Sequence, residues 1–380
     1  MKPHSRWVML AIAFFTVFSF SFAMQSLPPL LPSLMSEFRI SYATAGSLMT
    51  FVALPGLFLS ILGGTLVFRY GLRVIGAAGL LLISLGALLC SLSSSLTTLQ
   101  LARLTVGIGG PLVAVSALSL ITQWFSSKER GLAMGIYAMH MPVAVASAFN
   151  VLGRVDASYG WRACFGISFA LSTAILVSFL LFARERQAGD ATALSFRPLR
   201  NSRIWIVGLI WVLFNMVGVS FATWAKTLFI EFKGFDPVYA DFIASVPMIM
   251  GFATPLVGLL GDKLQRRRLL LIIAAIYMII AYPLLPHFNG VTLGLFLAAL
   301  GLSRMFFPPT VFALVPEIIG PRNAPLGFGV LGMCRDAGAM SGPFLIGLVM
   351  DAVHNFTSPM LAMSFLSFIA LLLVISLKAR

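Results

Sequence analysis

Gly64-Thr-Leu-Val-Phe68-Arg69-Tyr-Gly71-Leu-Arg73 and Gly258-Leu-Leu-Gly-Asp262-Lys263-Leu-Gln265-Arg266-Arg267 are two versions of one pattern, 194 residues apart in a chain of 380. The same offset carries Gly131-Leu-Ala133-Met-Gly135 onto Pro325-Leu-Gly327-Phe-Gly329, and Gly107 onto Gly301. A repeat at about half the chain length indicates two similar halves. Each copy of the basic pattern follows a long apolar run, and a membrane helix needs about 20 such residues. Charge clusters and Gly/Pro breaks divide the chain into twelve such runs, at 7–27, 42–67, 74–94, 97–124, 130–152, 161–183, 204–230, 239–261, 268–286, 291–315, 324–350 and 357–377. They are numbered here as spans 1 to 12. The expected fold is an all-α membrane protein, with twelve transmembrane helices in two pseudo-symmetric six-helix bundles. The bundles occupy 1–183 and 204–380, and 184–203 forms the linker. An even number of spans per half keeps both halves in one orientation, as in parallel repeats about an axis normal to the membrane.

Composition agrees. The chain is 59% hydrophobic and only 10% charged, with a mean hydropathy of +0.98. Soluble domains carry about a quarter charged residues, so a soluble enzyme, a disordered regulator and a nucleic-acid-binding domain are excluded despite a net charge of +14. Of the 26 Lys and Arg residues, 18 fall in the even-numbered loops and the termini and 4 in the odd-numbered loops. By the positive-inside rule both termini are expected in the cytoplasm, with a bacterial inner membrane as the expected location. The apolar run from Trp7 to Ala23 reads as an uncleaved first helix rather than a signal peptide. Cys90, Cys164 and Cys334 show neither metal-ligand spacing nor a disulfide framework. No paired carboxylates, His-Glu-x-x-His run, Walker loop or Ser/His/Asp grouping suggests an enzyme, a metal or a cofactor.

The loop after span 2 resembles the signature of the major facilitator superfamily, Gly-x-x-x-Asp-Arg/Lys-x-Gly-x-Arg/Lys. Gly64, Arg69, Gly71 and Arg73 match it, while Phe68 stands where the acid belongs. The second copy keeps Gly258, Asp262, Lys263 and Arg267, with Gln265 in place of glycine. Arg103-Leu-Thr-Val-Gly107-Ile-Gly109-Gly110 in span 4 is similar to the family's Arg-x-x-x-Gly-x-Gly pattern, and Trp124-Phe125 through Glu129-Arg130-Gly131 to its span 4–5 segment. The resemblance covers the chain and implies a secondary transporter that works by alternating access. It also implies that the two loop signatures gate the cytoplasmic side, with Phe68 weakening the N-terminal latch. The plainer role for Arg69 and Arg73 is to enforce topology.

The remaining four cations, Arg103, Lys226, Arg304 and Arg335, lie inside spans, where ionisable groups are expensive and by default functional. Arg304 is deepest. Pro308, four residues on, cannot donate to its carbonyl, so backbone opens beside the cation. The alternative is a structural Arg304–Asp336 pair. Arg335 and Asp336 are adjacent and should point about 100° apart, toward different partners. His140, which the repeat maps beside that pair, is a candidate proton carrier or a buried neutral imidazole. Arg103 and Lys226 lie nearer span ends and could instead snorkel to the interface. In the family, spans 1, 4, 7 and 10 line the cavity, which adds Asn215 as lining.

With Asp336 and the near-terminal Asp351 taken as the acids opposing these four cations, an uncompensated positive cavity is expected to attract anions. The expected partners are the lipid bilayer, a small anionic solute bound by Arg304, Arg335, Arg103, Lys226 and Asn215, and protons carried by Asp336 or His140. The expected function is import by proton symport. A proton-driven efflux antiporter for drugs or metabolites is the alternative, suggested by 33 Phe and 18 Met. A non-transporting membrane sensor is the alternative of another class.

Overall fold

A computed structural model describes residues 4–126, 129–186, 197–253, 267–320 and 324–377. Among the described residues ten helices are long and apolar enough to cross a membrane, and Pro237–Ala253 is a shorter apolar one. The remaining span, Ala324–Ala352, is 29 residues long and is less apolar because it carries Arg335, Asp336, Asp351 and several glycines. Together these account for the twelve expected spans.

Span 1 is the helix His4–Gln25. Pro28 and Pro29 then open a short turn, and a further helix, Leu31–Phe38, buries Leu34 where the sequence suggested only a loop. Spans 2, 3 and 4 are Tyr42–Tyr70, Leu72–Ser91 and Leu96–Trp124. Ser95 and Thr98 start span 4 with reciprocal side-chain-to-backbone hydrogen bonds, which satisfy amides that a helix start leaves free. Span 5 is broken into Arg130–Ala138, His140–Ser147, a π turn at Ala148–Leu152 and Gly153–Tyr159. Pro142 accounts for the first break, because it cannot donate to the Ala138 carbonyl. Span 6 is Trp161–Phe182 and span 7 is Ser202–Lys233. Span 8 begins at Pro237, where Asp236 accepts from the amides of Val238 and Tyr239. Span 9 is Arg267–Leu284, and span 10 comprises Gly290–Arg304 and Phe307–Ile319. Span 11 is Ala324–Ala352 and span 12 Thr357–Ser376.

The chain forms two compact units, Met1–Phe38 with Phe51–Ala193, and Arg39–Thr50 with Leu194–Arg380. The repeat read in the sequence has a packing counterpart inside each unit. A Cβ on Gly107 would lie 2.3 Å from the carbonyl oxygen of Val52, and one on Gly301 would lie 2.3 Å from that of Pro247. In both cases a span in equivalent position approaches a neighbouring backbone so closely that only glycine fits.

Arg39–Thr50, which includes the first turns of span 2, clusters with the second unit. Asp351 of span 11 accepts from the amides of Tyr42 and Ala43, each at 2.9 Å, and so caps the start of span 2. The Tyr42 hydroxyl donates to Glu231 at 2.5 Å, and the Trp224 indole donates to the Pro343 carbonyl at 2.9 Å. Asp351 therefore serves as a helix cap, which draws on the positive end of the helix dipole.

Candidate functional site

The ionisable groups inside the spans resolve into local arrangements, each within one unit. Arg103 is 1% exposed, and its guanidinium donates to the carbonyls of Ala23 at 2.7 Å and Met24 at 3.0 Å. The Met24 carbonyl needs this donor because Pro28, four residues later, has no N–H. The positive end of Arg103 thus closes the C-terminal turn of span 1. This geometry favours a structural role over the substrate contact expected from the sequence. Arg103→Ala should leave the buried Met24 carbonyl unsatisfied at a cost of about 1–3 kcal/mol, while Ser26 still donates to that of Ala23. The expected result is a lower melting temperature of the detergent-purified protein, while the folded fraction keeps its substrate KM.

His140 follows the Pro142-induced break, and its Nδ1 lies 2.8 Å from the Ser21 hydroxyl of span 1. The ring of Tyr137 packs against it edge-on at 5.2 Å. A π turn follows eight residues later, and such irregular turns are frequent at functional sites. The imidazole thus links two helices of the first unit.

Lys226 forms a buried ion pair across two helices. Its Nζ donates to Asp241 Oδ2 of span 8 at 2.8 Å, and the two side chains are 4% and 3% exposed. Asp241 is a third acid inside the spans, beside Asp336 and Asp351, which corrects the expected charge balance. Arg335 and Asp336 also depart from expectation. Instead of diverging, Arg335 folds back and binds its neighbour through Nε–Oδ1 at 2.9 Å and Nη2–Oδ2 at 3.1 Å. The length of the arginine side chain lets a parallel fork form within one helical turn. Asp336 is buried, while the Arg335 side chain is 41% exposed.

Arg304 is 5% exposed and ends the first half of span 10, as the two prolines implied. Its guanidinium lies over the Phe214 ring, 4.9 Å from the centroid, and Nη1 is 3.5 Å from the Tyr282 hydroxyl. Phe307 stacks on the other partner, Phe214, at 4.7 Å. A Cβ on Gly218 would fall 1.6 Å from Arg304 Nη2, so the guanidinium occupies the space a side chain there would fill. Among the described residues no carboxylate lies within ion-pair distance of Arg304, and the alternative Arg304–Asp336 pair does not form. Asn215, a turn before Gly218 on span 7, donates to the Trp211 carbonyl at 2.8 Å.

Of the gating residues, Gly258, Asp262 and Lys263 lie outside the described residues, as does the side chain of Arg267. In the first copy Arg69 sits over the Tyr70 ring, and Arg73 donates to the Leu180 carbonyl at 2.8 Å. Phe68 is exposed, and an acid from elsewhere occupies the neighbouring helix start. Glu185 Oε1 accepts from the Leu72 amide at 3.1 Å, at the first residue of span 3. Gly71 has φ +82°, and a Cβ there would meet Glu185 Oε2 at 2.9 Å. The loop glycine therefore serves two purposes, a left-handed backbone and room for the carboxylate. Glu185 lies 117 residues after Phe68, so the loop signature alone gave no sign of it.

The sequence profile of the Major Facilitator Superfamily matches residues 13–286 and 233–380. The chain belongs to the major facilitator superfamily. It is 27% identical over 305 residues to the 3-(3-hydroxy-phenyl)propionate transporter of Escherichia coli K12, covering 77% of this chain and 74% of that one. It is 20% identical over 372 residues to the hexuronate transporter of Bacillus subtilis, covering 90% and 88%. The fold is similar to a crystal structure of a bacterial homolog of the human lysosomal transporter Spinster, inward-facing and unoccupied. That match has a TM-score of 0.82 at 18% identity, with coverage of 98% and 97%. The protein is accordingly a multi-pass membrane transporter of the superfamily.

Proposed function

We propose that this transporter imports a small organic anion by alternating access, in symport with protons. The reading rests on Arg304, a buried guanidinium at an opened helix, with no carboxylate within ion-pair distance among the described residues. Of the four cations expected to attract an anion, Arg103 serves helix carbonyls and Lys226 and Arg335 have their own carboxylates. Arg304 is left as the charge a carboxylate would complete. The substrates named for the two relatives, a phenylpropionate and a hexuronate, are carboxylates. Arg335, half-open to its surroundings, is the second proposed contact, and Asn215 a neutral one. Both termini are proposed to be cytoplasmic, which places the basic loops inside.

Proton coupling requires a group whose protonation weighs differently on the two access states. Of the carriers read from the sequence, His140 has a partner on another helix, whereas Asp336 is bound to its own neighbour. His140 is therefore the better proposed carrier in the first unit. In proteoliposomes, 3-(3-hydroxyphenyl)propionate or a hexuronate should accumulate faster when the outside is acidified. Selective flux of organic cations, or efflux driven by proton entry, would refute the reading.

A further inference from the structure

The Lys226–Asp241 pair has a property that the Arg335–Asp336 pair lacks. Lys226 and Asp241 lie on spans 7 and 8, so their 2.8 Å contact depends on how those two helices sit against each other. Arg335 and Asp336 share one turn of one helix, and their contact survives any rigid movement of span 11. A charge pair that is the same in both states cannot bias them, however strong it is. The inter-helical pair can.

Chemistry separates the pairs in the same direction. Arginine grips the Asp336 carboxylate with a two-pronged fork inside a single helix. Lysine presents a single, compact ammonium with a smaller hold on its partner. Two fully buried charges are costly in a membrane protein unless used or closely matched. Lys226 lies seven residues before the end of span 7 and Asp241 four residues after Pro237. At 1.5 Å per residue, the pair is about 6–10 Å inside the end opposite the basic loops.

The charged groups on the neighbouring helices are engaged elsewhere. On span 7, Glu231 accepts from Tyr42, and Lys233 donates to the carbonyls of Pro286 and Phe288. Asp236 caps the start of span 8. Span 10, packed on span 8, carries Arg304 against Phe214. Span 11, packed on span 7, carries Asp351 on the Tyr42 and Ala43 amides and the self-contained Arg335–Asp336 fork.

We propose that Asp241, held across spans 7 and 8 by Lys226, is the acid of the second unit that takes up the coupling proton. The proton binds the carboxylate, the Lys226 ammonium keeps its own three, and the ion pair gives way to a neutral acid beside a cation. That loss of attraction frees span 8 to move against span 7. The proposal rests on the symport reading and supplies it with a residue that the sequence reading missed.

The test compares gradient-driven accumulation with equilibrium exchange in proteoliposomes, using 3-(3-hydroxyphenyl)propionate and a hexuronate as probes. In the double variant Lys226→Gln/Asp241→Asn, which leaves no lone buried charge, the ratio of accumulation to exchange should fall at least tenfold. A ratio at the unmodified value in that variant shows a purely structural pair and overturns the proposal. Asp241→Glu keeps a carboxylate and a pair, and should retain accumulation with a displaced pH midpoint. An undisplaced midpoint overturns the proposal even where the double variant does not fold. Absence of gradient-driven accumulation in the unmodified protein refutes the symport reading itself, and this proposal with it.

Discussion

Replacing Arg304 with glutamine should raise the substrate KM by about 10–100-fold without lowering the melting temperature. The size follows from losing one charge-assisted hydrogen bond, worth about 1.5–3 kcal/mol, at about 1.4 kcal/mol per tenfold. The unaltered stability follows from the setting. Arg304 has Tyr282 as its hydrogen-bond partner, at 3.5 Å, and an aromatic face beneath it. Removing a buried cation that has no carboxylate within ion-pair distance among the described residues relieves a desolvation cost at least as large as the lost ring contact contributes. Arg304→Lys should recover little, because an ammonium neither stacks flat on Phe214 nor presents a fork to a carboxylate. Uptake kinetics and a thermal melt on the same preparations check both parts. A variant that loses stability but keeps its KM would assign Arg304 to architecture.

The contrast between Arg304 and Arg103 shows what a sequence can and cannot say about such residues. Both were intramembrane arginines with a proline in reach, and both readings of each were open. Pro308 lies four residues beyond Arg304, and its missing N–H accurately predicted the helix break between Arg304 and Phe307. Local rules of this kind transfer directly from sequence to structure. The proline that decides Arg103 is Pro28, on another helix, and the partnership with the Met24 carbonyl depends on how spans 1 and 4 pack. The twelve spans were legible for the first reason, since a span is a matter of length and apolarity along one stretch of chain. The placement of Glu185 at the start of span 3 was hidden for the second.

Asp241 is paired by a signal that lies within one stretch of chain. Spans 7 and 8 are joined by a short turn at Gly234, whose φ of +64° ends the helix. Residues at similar distances on either side of such a turn must come together, and Lys226 and Asp241 are only 15 apart. An acid and a base on two consecutive spans at that spacing are a readable pair. Arg335 and Asp336 misled for the opposite reason. The 100° rule describes where Cβ atoms point, whereas a guanidinium sits several bonds further out and can fold back onto its neighbour.

The second large effect comes from one methyl group placed at two glycines of the second unit. At Gly301 the added Cβ would meet the Pro247 carbonyl oxygen at 2.3 Å and its Cα at 2.7 Å. Backbone of a packed helix cannot retreat, so spans 8 and 10 must separate, at a cost of about 1–3 kcal/mol. Gly301→Ala should therefore lower the melting temperature and the yield of folded protein. At Gly218 the three atoms nearest the same methyl all belong to Arg304, with Nη2 at 1.6 Å and Cζ at 2.5 Å. The end of a long side chain can swing away, and alanine favours the helix by about 1 kcal/mol over glycine. Gly218→Ala should keep or raise the melting temperature while displacing the guanidinium from Phe214. Its KM should then rise by about tenfold, approaching the Arg304→Gln value, because both changes remove the same positioned charge. Combining the two substitutions should add little beyond either alone, since they act on one group. Additive losses in the double variant would mean that Gly218 and Arg304 serve transport separately.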